Sequence, residues 1–231
     1  MMTHHACWAV VPVKEAVQAK TRLARDLAPE TRIALARAML EDVLRSLVAV
    51  RGLAGIAVVT LDPYATELAR RFGAHVFTDG ARDGHTGAVT AAAHRLSRCA
   101  CSTMLTVPGD IPAVTPEEIT RVLHAHRQAS SFTICPAHDR RGSNAVMLSP
   151  PCAVPLAFGT DSFLPHLAAA RDRGIEPTLV EDVPGIARDV DACEDIEALL
   201  ALPGASLTKK LLVQHAWKAG AAQACEAAGQ A

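Results

Sequence analysis

Aromatic residues are scarce in this 231-residue chain, which has two Trp, one Tyr and five Phe. Half of the residues are apolar, so the core must be built mainly from Ala, Val, Leu and Ile. Neither sign of charge dominates: 23 Lys plus Arg stand against 24 Asp plus Glu, a net of −1. That balance removes the usual electrostatic drive toward nucleic acid or an anionic membrane, and neither is expected as a partner. No apolar run approaches the ~20 residues of a membrane span, and the first one, residues 7–13, is short even for a signal peptide. The seven Cys form no C-x-x-C and no metal spacing with His, and only Cys99 and Cys101 are close together. Reduced thiols in a cytoplasmic protein are expected. Collagen, disulfide scaffold, zinc finger, membrane-spanning protein and coiled coil are excluded. There is also no P-loop, no G-x-G-x-x-G and no G-x-S-x-G.

The chain instead shows a persistent alternation of apolar runs and helical patterns. Residues 7–13 read as a strand, and residues 29–50 carry a wide 3.6-period apolar stripe with Pro29 placed for a helix start. Residues 56–61 form a continuous apolar strand of the kind parallel sheets bury. Asp62 and Pro63 then open a helix over 64–72, followed by a short strand at 74–77. A loop with Gly80, Gly84 and Gly87 leads into an Ala-rich helix ending near Arg98, and 103–107 is the next strand. Thr115, Pro116 and Glu118 have the pattern of a capped helix running to about Arg127. Further on, strands are predicted at 131–136, 144–149, 178–181 and 187–190, with helices at 161–173 and 194–202. The expectation is a three-layer α/β domain over residues 1–207 with a mostly parallel sheet, some later strands being antiparallel where connections are short. An Ala-rich tail over 208–231, with Lys209, Lys210 and Lys218, is expected to be loosely attached.

In open α/β sheets ligands bind outside the carboxyl ends of the strands. The segments leaving Val13, Val107 and Val190 are therefore the places to look for chemistry. After the first strand come Lys14, Lys20 and Arg22, three cations suited to a triphosphate, although a solvated basic loop would look the same. After Val107 comes Pro108-Gly109-Asp110-Ile111-Pro112, where Asp110 either holds a cation or ribose or simply caps a turn. In Arg188-Asp189-Val190-Asp191, an extended backbone would project Asp189 and Asp191 from one face, a pair that suits Mg²⁺. The plain alternative makes Asp191 the N-cap of the next helix. Gly142-Ser143-Asn144-Ala145 and Phe158-Gly159-Thr160-Asp161-Ser162-Phe163 offer small hydroxyls and backbone N–H groups to an anion, or else form a turn and a cap. The ten His carry no such pattern: His124 and His126 are two apart on a helix and cannot share a face, and His4 and His5 are expected to be disordered. A phosphatase of the haloacid-dehalogenase type would need D-x-D after the first strand, where this chain has Val-Pro-Val-Lys.

Taken in order, VPVK…AKTRLA, PGDIP, DRRGSNAVML, FGTDSF and RDVDACEDI resemble the guanylyltransferases of coenzyme F420 biosynthesis, across roughly residues 8–202. These are relatives of the molybdenum-cofactor guanylyltransferases. The resemblance implies a GT-A-like, Rossmann-like nucleotidyltransferase fold and a reaction that joins GMP from GTP to a small phosphorylated carboxylic acid. That acid is phosphoenolpyruvate, 3-phospho-D-glycerate or 2-phospho-L-lactate. It further implies that Lys14, Lys20 and Arg22 serve catalysis along the GTP phosphates, with Gly84, Thr86 and Asp110 also on the nucleotide. Asp110, Asp189 and Asp191 would surround Mg²⁺, and Ser143, Gly159 and Ser162 would receive the acid. A downstream transferase that builds the F420 precursor would be the partner. Two departures stand out: Gly84-His85-Thr86 replaces a Leu-Asn common in relatives, and Cys193 stands where Pro is usual. A GT-A sugar-nucleotide enzyme and a non-catalytic nucleotide-binding module remain as rivals.

Overall fold

The computed structural model describes residues 7–15, 20–127 and 130–215. Lys218 of the expected tail, together with His4 and His5, lies outside the described residues. Among the described residues seven strands form one sheet: β1 (Cys7–Pro12), β2 (Leu53–Val59), β3 (His75–Phe77), β4 (Thr103–Thr106), β5 (Ser131–Pro136), β6 (Ser143–Ser149) and β7 (Thr178–Leu179). Their spatial order is β3-β2-β1-β4-β6-β5-β7. The ladders β3–β2, β2–β1, β1–β4 and β5–β7 are parallel, whereas β6 runs antiparallel to both of its neighbours.

Alternation along the strands decides the layers. Ala9 and Val11 of β1 face one core together with α1 (Pro29–Ala49), α2 (Pro63–Arg71) and α4 (Pro116–Ala125). Val10, Ala57 and Met104 face the other core, which packs on α3 (Gly84–Arg98) and α5 (Phe163–Asp172). The apolar stripe of α1 is wide because it serves two partners. Leu40, Val43, Leu44 and Leu47 meet the sheet, while Leu35 and Met39 join a third cluster with α6 (Cys193–Ala201) and α7 (Leu207–Gln214). The expected three-layer, mostly parallel architecture is the observed one, and among the described residues no helix is long and apolar enough to cross a membrane. The six described cysteines are free.

Several boundaries move for physical reasons. α3 begins at Gly84, so Gly87 lies in its first turn and not in the loop. A Cβ on Gly87 would run into Asp83, which explains a glycine there. α4 stops at Ala125 because His126 turns away to Thr133 and Ser149, at 2.9 Å each. Residues 187–190 are not a strand: their backbone pairs with no ladder, and Val190 instead packs into the third cluster. The expected tail boundary at Thr208 falls inside α7. Ser206 caps that helix through the Lys209 N–H, and the buried Asp42 of α1 accepts from the Thr208 N–H at 2.9 Å and hydroxyl at 2.6 Å.

Candidate active site

Because β6 is reversed, its first residues lie at the same sheet edge as the ends of β1 and β4. Ser143 and Asn144 are thereby brought beside the loop that carries Asp110. Two adjoining recesses open along this edge. One of about 360 Å³ is walled by Val13, Leu40, Tyr64 and Ala65. Another, of about 770 Å³, is walled by Ser143, Asn144, Gly159, Ser162 and Asp189. Lys14, Arg22, Gly84, His85, Asp110 and Asp191 line both and so mark the junction.

The charged centre is built around Lys20. Its ammonium lies 2.6 Å from Asp110 Oδ2 and 2.8 Å from Asp191 Oδ1, with a side chain only 5% exposed. Its backbone is left-handed, with φ 55° and ψ 42°. Burial by itself would lower the Lys20 pKa, but the two carboxylates outweigh it and hold the ammonium above the ordinary lysine range. Asp191 is the mirror case: burial would raise it, and Lys20, with Arg22 at 3.9 Å, brings it below the usual carboxylate value. Asp189 goes the other way. Burial and then the charge of Asp110 push it up, only partly offset by the Asn144 amide.

The three carboxylates arrive by different routes. Asp110 comes directly after β4. The segment carrying Asp189 and Asp191 is irregular and is fixed from outside. Asn144 Nδ2 donates to Ile186 O at 3.0 Å and to Asp189 Oδ1 at 3.1 Å. The Val190 N–H donates to Asp110 O at 3.0 Å. Buried Glu118 accepts from the Gly185 N–H at 2.6 Å. Asp195 accepts from the backbone of Asp191 and Ala192 at 2.9 and 2.7 Å, so the capping duty falls to Asp195 and the Asp191 side chain is left for Lys20. Asp189 and Asp191 both line the larger recess while Val190 between them is buried in the third cluster, so the two carboxylates share one side of the segment although it belongs to no ladder. Among the described residues no group of three His, Cys, Asp or Glu side chains has metal-holding geometry.

At the far side of the larger recess, Ser162 Oγ donates to Ser143 Oγ at 3.3 Å, and Ser143 Oγ lies 3.0 Å from His166 Nδ1. Thr86, expected on the nucleotide, lines only this larger recess. Its hydroxyl is engaged with the Phe158 backbone, accepting from N–H at 2.9 Å and meeting the carbonyl at 3.4 Å. The neighbouring His85 ring stacks on Phe158 with centroids 4.3 Å apart; burial, with Lys14 nearby and against the pull of Asp110, lowers its pKa to about 4. All eleven residues singled out from the sequence thus border the two recesses. Sequence reading missed the positioning roles of His166, Asp195 and Asn144, and it read Glu118 only as the helix cap that it also is. Asn144 sits inside one of the motifs, but His166 has no signal beyond lying four residues after Ser162.

The family model described as guanylyl transferase CofC like matches residues 7–215. The chain belongs to the CofC-like guanylyltransferase family. It is therefore a nucleotidyltransferase. A phosphoenolpyruvate guanylyltransferase of Nocardia farcinica is 34% identical over 220 residues, covering 94% of this chain and 95% of the relative. A 3-phospho-D-glycerate guanylyltransferase of Colwellia psychrerythraea is 33% identical, covering 87% and 94%. Both names fall on the phospho-acid side of the choice left open by the sequence, not on the sugar-nucleotide side. Among solved structures, a nucleotidyl transferase from Methanothermobacter thermautotroptrophicus matches with TM-score 0.62 at 18% identity, covering 84% of this chain and 95% of the other. A Desulfovibrio desulfuricans G20 structure provisionally named a nucleotide-diphospho-sugar transferase gives 0.73 at 20%, covering 91% and 94%. These two likenesses establish the nucleotidyltransferase fold of the CofC-like chain.

Proposed function

We propose that this CofC-like enzyme transfers GMP from GTP to a small phosphorylated carboxylic acid, releasing pyrophosphate, as a step of coenzyme F420 biosynthesis. The acid is phosphoenolpyruvate, 3-phospho-D-glycerate or 2-phospho-L-lactate. The observation that carries this reading is the meeting of three groups along two adjoining recesses that share Lys14, Arg22, Asp110 and Asp191. These are the basic set Lys14, Lys20 and Arg22, the carboxylates Asp110, Asp189 and Asp191, and the Ser143–Ser162 hydroxyl pair. The names of the two relatives support phosphoenolpyruvate and 3-phospho-D-glycerate first.

The reaction needs no protein nucleophile. An oxygen of the acid's phosphate attacks the α-phosphorus of GTP in line, a new P–O bond forms, and the bond to the β-phosphate breaks to free pyrophosphate. The protein's share is alignment and charge neutralisation. Lys14 and Arg22 at the junction, with Lys20 behind them, would lie along the triphosphate. The base would occupy the more apolar recess, and Ser143, Gly159 and Ser162 would hold the acid in the other. Asp110, Asp189 and Asp191 fit Mg²⁺: they are hard oxygen donors, two of them already share a cationic ammonium, and Asp189 sits in a surplus of negative charge. Among the described residues these three carboxylates do not converge in metal-holding geometry, so the ion would have to complete its sphere with water and substrate phosphate. When bound, the ion would neutralise charge on the phosphoryl oxygens. The product would pass to a downstream transferase that builds the F420 precursor.

The test crosses four nucleoside triphosphates with the three acids, in the presence of Mg²⁺ and that transferase, and reads pyrophosphate. Release with GTP and one acid, abolished in Asp189→Ala, is the expected result. Silence over the whole grid, with GTP still binding, would turn the reading toward a regulatory module.

A further inference from the structure

His166 is buried on α5, 1% exposed, with Phe158 edge-on to it at 5.0 Å. Both of its ring nitrogens have partners, and one partner fixes the tautomer. The Ala157 backbone N–H lies 3.0 Å from Nε2 and can only donate. Nε2 must therefore present its lone pair. A neutral imidazole has one donor and one acceptor nitrogen, so the proton sits on Nδ1, aimed at Ser143 Oγ 3.0 Å away. Burial, helped by nearby His85, lowers the His166 pKa to about 4, which keeps the ring in this neutral form near pH 7.

The consequence falls on Ser143. A hydroxyl has two lone pairs and one proton. One lone pair of Ser143 receives the His166 N–H, and the other receives the Ser162 hydroxyl at 3.3 Å. Its own proton is then left to face the larger recess, which Ser143 lines. An anionic substrate group offers only acceptors, and a hydroxyl free to turn would spend part of its time presenting a lone pair to that anion.

We propose that His166 is a positioning residue that locks Ser143 as a hydrogen-bond donor to the anionic group of the acid substrate. His166 does not touch the substrate; it acts through the Ser143 oxygen. The inference rests on the proposed use of the Ser143 recess by a phosphorylated acid.

Two isosteres separate the two ends of the ring. In His166→Asn the amide reaches the place of Nδ1 and retains a donor toward Ser143. In His166→Gln the amide reaches the place of Nε2 and retains only the partner of Ala157. The expected result is a KM for the acid raised about 5–30-fold in His166→Gln, the scale of one lost hydrogen bond, with kcat and the KM for GTP nearly unchanged. His166→Asn should restore most of the loss. In a Ser143→Ala background, His166→Gln should add less than about 2-fold, because the two residues act as one unit. Independent, multiplicative effects of His166→Gln and Ser143→Ala would overturn the inference alone, as would a fall in kcat shared by the Asn and Gln variants. A wild-type enzyme that releases no pyrophosphate with any acid would overturn the functional reading, and this inference with it. Nitrogen-15 spectra of the His166 ring give a readout separate from turnover: a proton on Nε2 near pH 7 contradicts the lock.

Discussion

Asp110 and the pair Asp189 and Asp191 reach the same recess from regions built on different rules. In the first, residues 7–127, parallel strands alternate with helices, and Asp110 is placed by the β4 ladder and the loop that leaves it. In the second, from residue 130 on, β6 runs backward, β7 has two residues, and the acidic segment belongs to no ladder. There, side-chain bonds from Asn144, Glu118 and Asp195 do what strand pairing does in the first region. A regular sheet edge can present groups at strand spacing only. An irregular segment held by buried polar side chains can present them where the chemistry needs them, at the cost of depending on each bond.

The largest expected effect comes from the point where the regions meet. Lys20 bonds both to Asp110 of one and to Asp191 of the other. Lys20→Met should lower kcat/KM by about 10²–10³-fold, the scale of losing one preorganised electrostatic group in an active site. An unchanged rate would mean that the ion pair is purely structural.

The comparison is sharpened by two glycines. A Cβ at Gly185, in the second region, would collide with the Ala113 carbonyl and with Glu118 Oε2. At Gly109, beside Asp110, it would only reach ordinary contact with Leu40 at 3.4 Å and Val13 at 3.5 Å. Gly185→Ala should cost about 1–3 kcal/mol in urea unfolding and also reduce turnover, whereas Gly109→Ala should leave stability within about 0.5 kcal/mol. Equal effects at both positions would erase the proposed distinction.

The smallest effect is a pH dependence shared by both regions. Burial depresses His126 to about 4, as it does His85 and His166. A histidine held neutral in the folded state contributes stability that is complete above its unfolded pKa of about 6.5 and is lost as pH falls toward 4. The melting temperature should therefore drop between pH 7 and pH 5, and His126→Asn should make that drop shallower. A melting temperature independent of pH over this window would contradict the buried neutral histidines.

The two regions also differ in how far the sequence discloses them. β1, α1 and β4 are legible because each repeats one pattern over enough residues, and Lys14, Lys20, Arg22 and Asp110 come after strands whose ends are easily found. Ser143, Ser162, Asp189 and Asp191 are found through motif resemblance, not periodicity. Residues 187–190 look like a strand because Val190 is apolar, but its burial is against α1 and α6, not within the sheet. Helix α7 is hidden by the Ala-rich stretch after it, while the decisive contact, Asp42 to Thr208, spans 166 residues and leaves no local trace. His166 is illegible for the same reason: its role depends on Ala157 and Ser143, which only the fold brings to its two nitrogens.

Phosphorus-31 spectra of GTP mixed with each acid, Mg²⁺ and the enzyme test most directly whether the two regions form one reaction centre. The account predicts pyrophosphate together with a new pair of mutually coupled phosphoanhydride signals for one acid, both missing in Asp189→Ala. Pyrophosphate without the coupled pair, or GTP left intact with all three acids, would contradict it.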